Sequence, residues 1–256
     1  MPNTTYVGIK TLLRKEVNRI LRIWTQTLLP PAITMTLYFI IFGNLIGSRI
    51  GNMDGFDYMS FIVPGLVMMA VITSSYGNMV SSFFGAKFAK HVEELLISPM
   101  PNWAILAGYV GGCLFRGLAV GVIVTGVSLF FTDIQMHNIW IVLSTVVLTS
   151  VVFSLGGFIN AAFAKKFDDI AIIPTFILTP LTYLGGVFYS ISLLPEFWQG
   201  VSKINPVLYM VNTFRYGFLG VSDINIYVAY GLILTFVLIL GFFSWLILHK
   251  GWGLRS

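Results

Sequence analysis

Apolar residues fall into six long blocks along the chain, separated by short polar stretches. An α-helix needs ~20 apolar residues to cross ~30 Å of hydrocarbon, and the blocks meet that length. They predict spans at Ile23–Ile46, Tyr58–Phe84, Trp103–Phe131, Ile139–Ala164, Ile170–Phe188 and Tyr227–His249. The connections leave no room for a folded soluble domain; the one long stretch follows the fifth block. Inside the blocks, Pro30-Pro31 is expected to kink the first span, and Pro64-Gly65 to loosen the second near its outer end. Gly108, Gly111, Gly112 and Gly117 predict close helix contact along the third.

Ahead of the first block the pattern changes. Ile9, Leu12, Leu13, Val17, Ile20, Leu21 and Trp24 recur at helical spacing, while Lys10, Arg14, Lys15, Asn18, Arg19 and Arg22 fill the other face. This predicts a basic amphipathic helix over 1–22, lying flat in the cytoplasmic interface with its apolar face among lipid chains. Glu16 stands toward the apolar side, with Arg19, Lys15 or a protein partner as its candidate neighbours. Residues 23–253 then form the membrane domain, and no small-x-small exit follows the first block to mark a cleavable leader.

Composition agrees. Hydrophobic residues make up 57% of the chain and charged ones 10%, against ~25% in ordinary globular chains. Mean hydropathy is +0.87. The fold class is therefore an all-α integral membrane protein. The single cysteine, Cys113, excludes an internal disulfide and a cysteine-cluster metal site. The net charge of +5 does not imply nucleic acid, because the cations sit at membrane borders. With the N-terminus inside, Lys10, Arg14, Lys15, Arg19, Arg22, Lys87, Lys90, Lys165, Lys166, Lys250 and Arg255 are cytoplasmic, while Arg49, Lys203 and Arg215 are outside. Both termini are thus expected in the cytoplasm.

No G-x-x-x-x-G-K-[ST] occurs, so the chain has no P-loop to cradle ATP. His91, His137 and His249 stand on different loops or ends, which supports neither a zinc hydrolase nor a Ser-His triad. No catalytic, cofactor-binding or metal residue is predicted.

One segment interrupts the apolar text. "KHVEELLISPMP" (Lys90–Pro101) lies between the second and third blocks, on the cytoplasmic side. A short helix is expected over Lys87–Ile97, with Phe88, Val92, Leu95 and Leu96 on one face and Lys87, Lys90, His91 and Glu94 on another. The prolines at 99 and 101 end it. Glu93 and Glu94 side by side suit an anionic leaflet poorly, which favours a protein groove over the lipid surface. A solvated loop helix is the alternative.

The segment resembles the coupling helix of ABC transporter permeases of the type-2 exporter class. "FIVPGL" (Phe61–Leu66) and "KKFDD" (Lys165–Asp169) are similar to the class's motifs, and "YLGGVFYSISLLPEFWQGVSKINPVLYMVNTFRYG" (Tyr183–Gly217) is similar to its outer re-entrant segment. The resemblance implies a half-size permease that pairs as a homodimer in a bacterial inner membrane and exports an amphiphilic substrate. It implies a separate ATPase, holding the ATP and magnesium, docked on Lys87, Lys90, His91, Glu93, Glu94, Leu95, Leu96 and Pro99.

The outer segment is too polar and broken to span, yet too apolar for a free loop. A re-entrant hairpin and an interfacial helix held by aromatic residues both fit. Phe188, Tyr189, Glu196, Phe197, Trp198, Lys203 and Arg215 are its candidate gate residues. Arg116, deep in the third block, is either a pathway residue or one half of a structural pair. Two other classes stay open at this point. An intramembrane lipid-modifying enzyme would gather ionisable groups at one depth; a passive channel or scaffold would have no use for the acidic segment.

Overall fold

The computed structural model describes residues 4–134 and 136–254; Arg255, one of the cations counted above, lies outside the described residues. The chain is mostly helical (80%), and among the described residues five helices are long and apolar enough to cross a membrane. The helices are α1 (Thr4–Arg22), α2 (Trp24–Ile50, interrupted), α3 (Tyr58–Phe88), α4 (His91–Ile97), α5 (Asn102–Ser128), α6 (Ile139–Phe163), α7 (Asp169–Tyr183), α8 (Glu196–Ile204), α9 (Pro206–Leu219) and α10 (Ile226–Lys250). A two-residue hairpin, Asn52–Met53 with Phe56–Asp57, joins α2 to α3 through Asp54-Gly55, both at positive φ as a tight hairpin turn requires.

α3 is the axis of the bundle. Phe61, Ile62, Leu66, Val67, Met68 and Val71 are fully enclosed on it, packed against α5, α6 and α9. α2 and α10 are peripheral, with Ile33, Leu37, Ile40, Ile41 and Leu45 exposed on the first and Leu238, Ile239 and Phe242 on the second. Helix starts at Asp57, Asn138, Asn205 and Asn225 are capped by those side chains, which accept from backbone N–H groups that a helix leaves unpaired.

The structure departs from the pattern in five places. First, α1 packs against the bundle along one edge. It runs alongside the start of α5, and Leu12, Glu16 and Ile20 are buried at helical spacing. The reason is the glycine row: a Cβ on Gly108 or Gly112 would collide with Leu12 or Glu16, and one on Gly111 with Leu13. Close backbone approach gives α1 a protein surface along this edge. Second, Pro64 sits inside an unbroken 31-residue helix. Third, Pro30 and Pro31 occupy the first turn of the segment Leu29–Tyr38, where a missing N–H costs nothing, and the break falls at Leu28. Fourth, α7 is 15 residues long, ~22 Å, short of the ~30 Å hydrocarbon core, because the chain turns at Gly185-Gly186. Fifth, the short acidic helix begins at His91. Lys87 belongs to α3, and Lys90 stands between them at φ 61, ψ 8.

Candidate functional site

On the cytoplasmic side, as the cation pattern assigns it, α4 is held to the bundle by its apolar edge. Val92 is 2% exposed, and Leu95 and Leu96 are half-buried against the core around Phe83, Phe84 and Ile105. Its other edge is free. His91, Glu93 and Glu94 are exposed, and the His91–Glu94 approach of 3.9 Å is loose. The carboxylates lie in the first turn, where the helix dipole favours negative charge. Ser98 closes the helix by donating to the Leu95 carbonyl at 2.6 Å, and Pro99 is exposed just beyond. The left-handed Lys90 makes the sharp corner that swings α4 away from the α3 axis.

Two expected members of this surface lie elsewhere. The Lys87 ammonium donates to the carbonyls of Ala162 and Ala164, at 2.6 and 2.7 Å, so it fastens α3 to the end of α6. Phe88 does not share the Val92 face; it meets Phe167 at 5.1 Å and Phe84 at 6.2 Å. The "KKFDD" stretch is therefore tied to the α3 end, with Phe167 between Phe84 and Phe88. Its backbone is closed by Asp169, which accepts from the N–H groups of Lys165 and Lys166 at 2.8 and 3.0 Å. A hollow of about 560 Å³ lies beside this aromatic ridge, lined by Lys87, Lys90, Lys165 and Phe88 among others.

The outer segment is built around Arg215, which is 1% exposed. Its Nη2 donates to the Gly186 carbonyl at 2.6 Å, its Nε to the Phe61 carbonyl at 3.4 Å, and its guanidinium carbon lies 3.9 Å from the Phe61 ring centre. Gly186 is at φ +70, where only glycine is free of strain. Gly65 faces the backbone of Val187 so closely that a Cβ would strike it. The Pro-Gly pair expected to loosen α3 thus has another use: Gly65 makes room for the Gly-Gly break to cross, and Arg215 locks the crossing. Arg215 is a buried clamp and presents nothing to solvent.

The remaining outer candidates divide into two groups. Phe188 joins Tyr38, Phe42 and Tyr183, with ring centres 4.7 to 6.0 Å away, and Tyr189 donates to the Tyr183 carbonyl at 3.2 Å. Glu196, Phe197, Trp198 and Lys203 lie exposed on α8; Phe197 and Trp198 touch edge to face at 5.5 Å. Among the described residues Glu196 and Lys203 form no ion pair. Asn205 then donates to the Leu181 carbonyl at 2.6 Å, and the buried helix α9 follows.

Arg116 is half-buried between α2, α3 and α5. Its Nη2 donates to the Thr27 carbonyl at 3.1 Å and its Nη1 reaches Asn78 Oδ1 at 3.5 Å. Arg19 takes the same Asn78 oxygen at 2.8 Å and also holds Glu16 at 3.1 Å, so of Glu16's three candidate neighbours Arg19 is the one present. Ser82 donates to Glu16 at 2.7 Å. An ion pair and a second arginine therefore gather at one level, contrary to the expectation that charges stay in the loops. Asn78 and Ser82, four apart and so on one face of α3, were the readable signal for this hub. Tyr38, Phe42 and Tyr183 carried none beyond their aromatic character.

The family of ABC-2 type transporters matches residues 7–219. The chain is 57% identical over 256 residues to the inner membrane transport permease YadH of Escherichia coli K12, covering 100% of both chains. It is 21% identical over 215 residues to nodulation protein J of Rhizobium meliloti, covering 84% of this chain and 82% of that one. A third relative, nodulation protein J of Sinorhizobium fredii, is 23% identical over 171 residues, covering 66% of this chain and 65% of that one. The match runs from the glycine-packed α1 to the end of the clamp helix α9, and the chain belongs to the ABC-2 type transporter family, whose permeases work with an ATP-binding subunit.

Proposed function

We propose that this chain is the membrane-embedded half of an exporter driven by a separate ATPase that docks on α4. The observation that carries this is the acidic helix itself. Its apolar edge is anchored, its carboxylates are free, and a sharp corner at Lys90 turns it away from the α3 axis. A projection fixed to the long axis helix transmits a push from below into the membrane. His91, Glu93, Glu94 and Pro99 form the contact, with Leu95 and Leu96 as its half-buried floor. Lys90 sets the angle, and Lys87 acts indirectly by fastening α3 to α6. ATP and magnesium belong to the partner.

In this reading the chain crosses the membrane six times with both termini in the cytoplasm, and α7 is a short fifth crossing that the Gly-Gly break hands to a re-entrant outer segment. The E. coli relative's name supports a bacterial inner membrane. A second copy covers Ile40, Ile41 and Leu45 in the second half of α2 together with Ile172, Phe176 and Ile177 of α7. The cluster of Tyr38, Phe42, Tyr183 and Phe188 forms the outer gate of the path between the copies. The substrate is an amphiphile moved out of the cytoplasm or inner leaflet.

The test is retention. The tagged chain is extracted from bacterial membranes in mild detergent, and the eluate is assayed for ATP hydrolysis and for a co-purifying nucleotide-binding subunit. The expected result is a stoichiometric ATPase that is lost on Glu93→Lys/Glu94→Lys. An ATPase retained equally by the double variant overturns the docking site; no ATPase under any mild extraction overturns the exporter reading.

A further inference from the structure

The hollow beside Arg116 is built for a negative charge. About 330 Å³ in volume, it lies between the first half of α2 and the middle of α3, and Gln26, Thr34, Tyr38, Thr73 and Arg116 supply its polar lining. Arg116 is fourteen residues along α5, ~21 Å from its start, well inside the hydrocarbon. A cation at such depth is costly unless water or a counter-charge meets it.

Within the protein its needs are poorly met. A guanidinium carries five N–H groups in a planar fork. Arg116 uses one on the Thr27 carbonyl and a second, at 3.5 Å, on an amide oxygen that Arg19 already holds. Its Nε has no partner. The ion pairs among the described residues are Arg19–Glu16 and His91–Glu94, so no carboxylate stands within 4.0 Å of Arg116. The nearby carboxylate, Glu16, is held by Arg19 and Ser82. Two arginines against one glutamate leave the cluster with a surplus positive charge beside an open cavity. On the other side of the cavity α2 presents Leu29, Ile33 and Leu37 to the exterior, an apolar track leading away from the polar lining.

We propose that this hollow receives the anionic head group of an amphiphile, a phosphate ester or a free carboxylate, with Arg116 supplying the charge and the α2 track taking the apolar chain. Thr34 and Thr73 complete the polar lining on either side of the head group. As a statement about cargo this rests on the export reading. The binding itself needs no ATPase, so the two fail separately.

The full chain in a neutral maltoside detergent is equilibrated with phosphatidylglycerol or phosphatidylcholine, and bound lipid is counted by native mass spectrometry. The wild type is expected to retain phosphatidylglycerol about tenfold better than phosphatidylcholine, a preference lost in Arg116→Gln and kept in Arg116→Lys. Arg14→Gln, on the exposed face of α1, keeps it and rules out a surface-charge effect. Thr34→Phe fills the hollow from α2 without touching the bonds of Arg116, and is expected to abolish the preference even where Arg116→Gln fails to fold. A preference that survives Thr34→Phe, or an Arg116→Gln protein that melts early yet still selects phosphatidylglycerol, overturns the site. Displacement of the lipid by millimolar inorganic phosphate assigns the hollow to a free anion and overturns the amphiphile.

Discussion

Arg215 and Arg116 are both large cations inside the bundle, and neither touches a carboxylate. Their surroundings are opposite. Arg215 is sealed, with two backbone carbonyls and an aromatic face around it, in a place where α3, α9 and the Gly-Gly break meet. Arg116 shares its amide oxygen with another arginine and lines a cavity. The first arrangement uses a cation as a rivet: the carbonyl at the Gly-Gly break and one on the α3 helix accept from a donor-rich side chain that fits between them. Each leaves one guanidinium nitrogen unpaired, Nη1 of Arg215 and Nε of Arg116, but only the second stands beside a cavity, where something else can arrive to meet the charge.

Removing the rivet is expected to have the largest effect. Arg215→Ala takes the side-chain donor from the Gly186 carbonyl, removes the contact with Phe61 and opens a cavity, a loss of about 3 kcal/mol or more. Thermal unfolding in detergent, followed by tryptophan fluorescence, should fall sharply; an unchanged midpoint would remove the distinction between the two arginines. Gly65→Ala is expected to cost about 2 kcal/mol, because the atoms it meets are the backbone of Val187 and cannot step aside as a side chain would. A neutral Gly65→Ala would mean that the crossing is looser than the clamp requires. The double reversal Glu93→Lys/Glu94→Lys should weaken ATPase binding about tenfold, ~1.4 kcal/mol, while moving the melting midpoint of the isolated chain hardly at all, as befits exposed side chains. Arg116→Gln sharpens the contrast most directly. Its expected stability loss is about 1 kcal/mol or less, below that of Arg215→Ala and Gly65→Ala, since one firm hydrogen bond is given up; a loss matching that of Arg215→Ala would make Arg116 a second rivet.

Much of this contrast was invisible along the chain. "EELLISPMP" announces an acidic helix and its stop, because charge in an apolar text and proline chemistry are local signals. The glycine row on α5 announced a close neighbour without saying which, and the neighbour was the helix expected to lie in lipid. Arg215 was read as a gate residue for its place in the outer segment, whereas its burial depends on Phe61, a partner 154 positions away. Gly65 was read through its proline neighbour as a weak point, since nothing local says that Val187 will cross there. Lys87 looked like a member of the acidic helix by spacing alone; the carbonyls that claim it come from the end of α6. Local periodicity finds elements, and long-range pairing decides what their polar residues are for.

The buried Glu16 also bears on how the chain is made. Its hydroxyl partner Ser82 comes 66 positions later, and the glycine that gives it room, Gly112, later still. While the ribosome is extending the first two hydrophobic segments, α1 has no protein groove to enter, and Arg19 is the one partner already synthesised for its carboxylate. α1 therefore docks out of chain order, waiting at the membrane surface until α5 has been inserted. A photoreactive residue at Leu12 in arrested nascent chains should crosslink to lipid when the chain stops short of Gly112, and to the chain itself once α5 has left the insertion machinery.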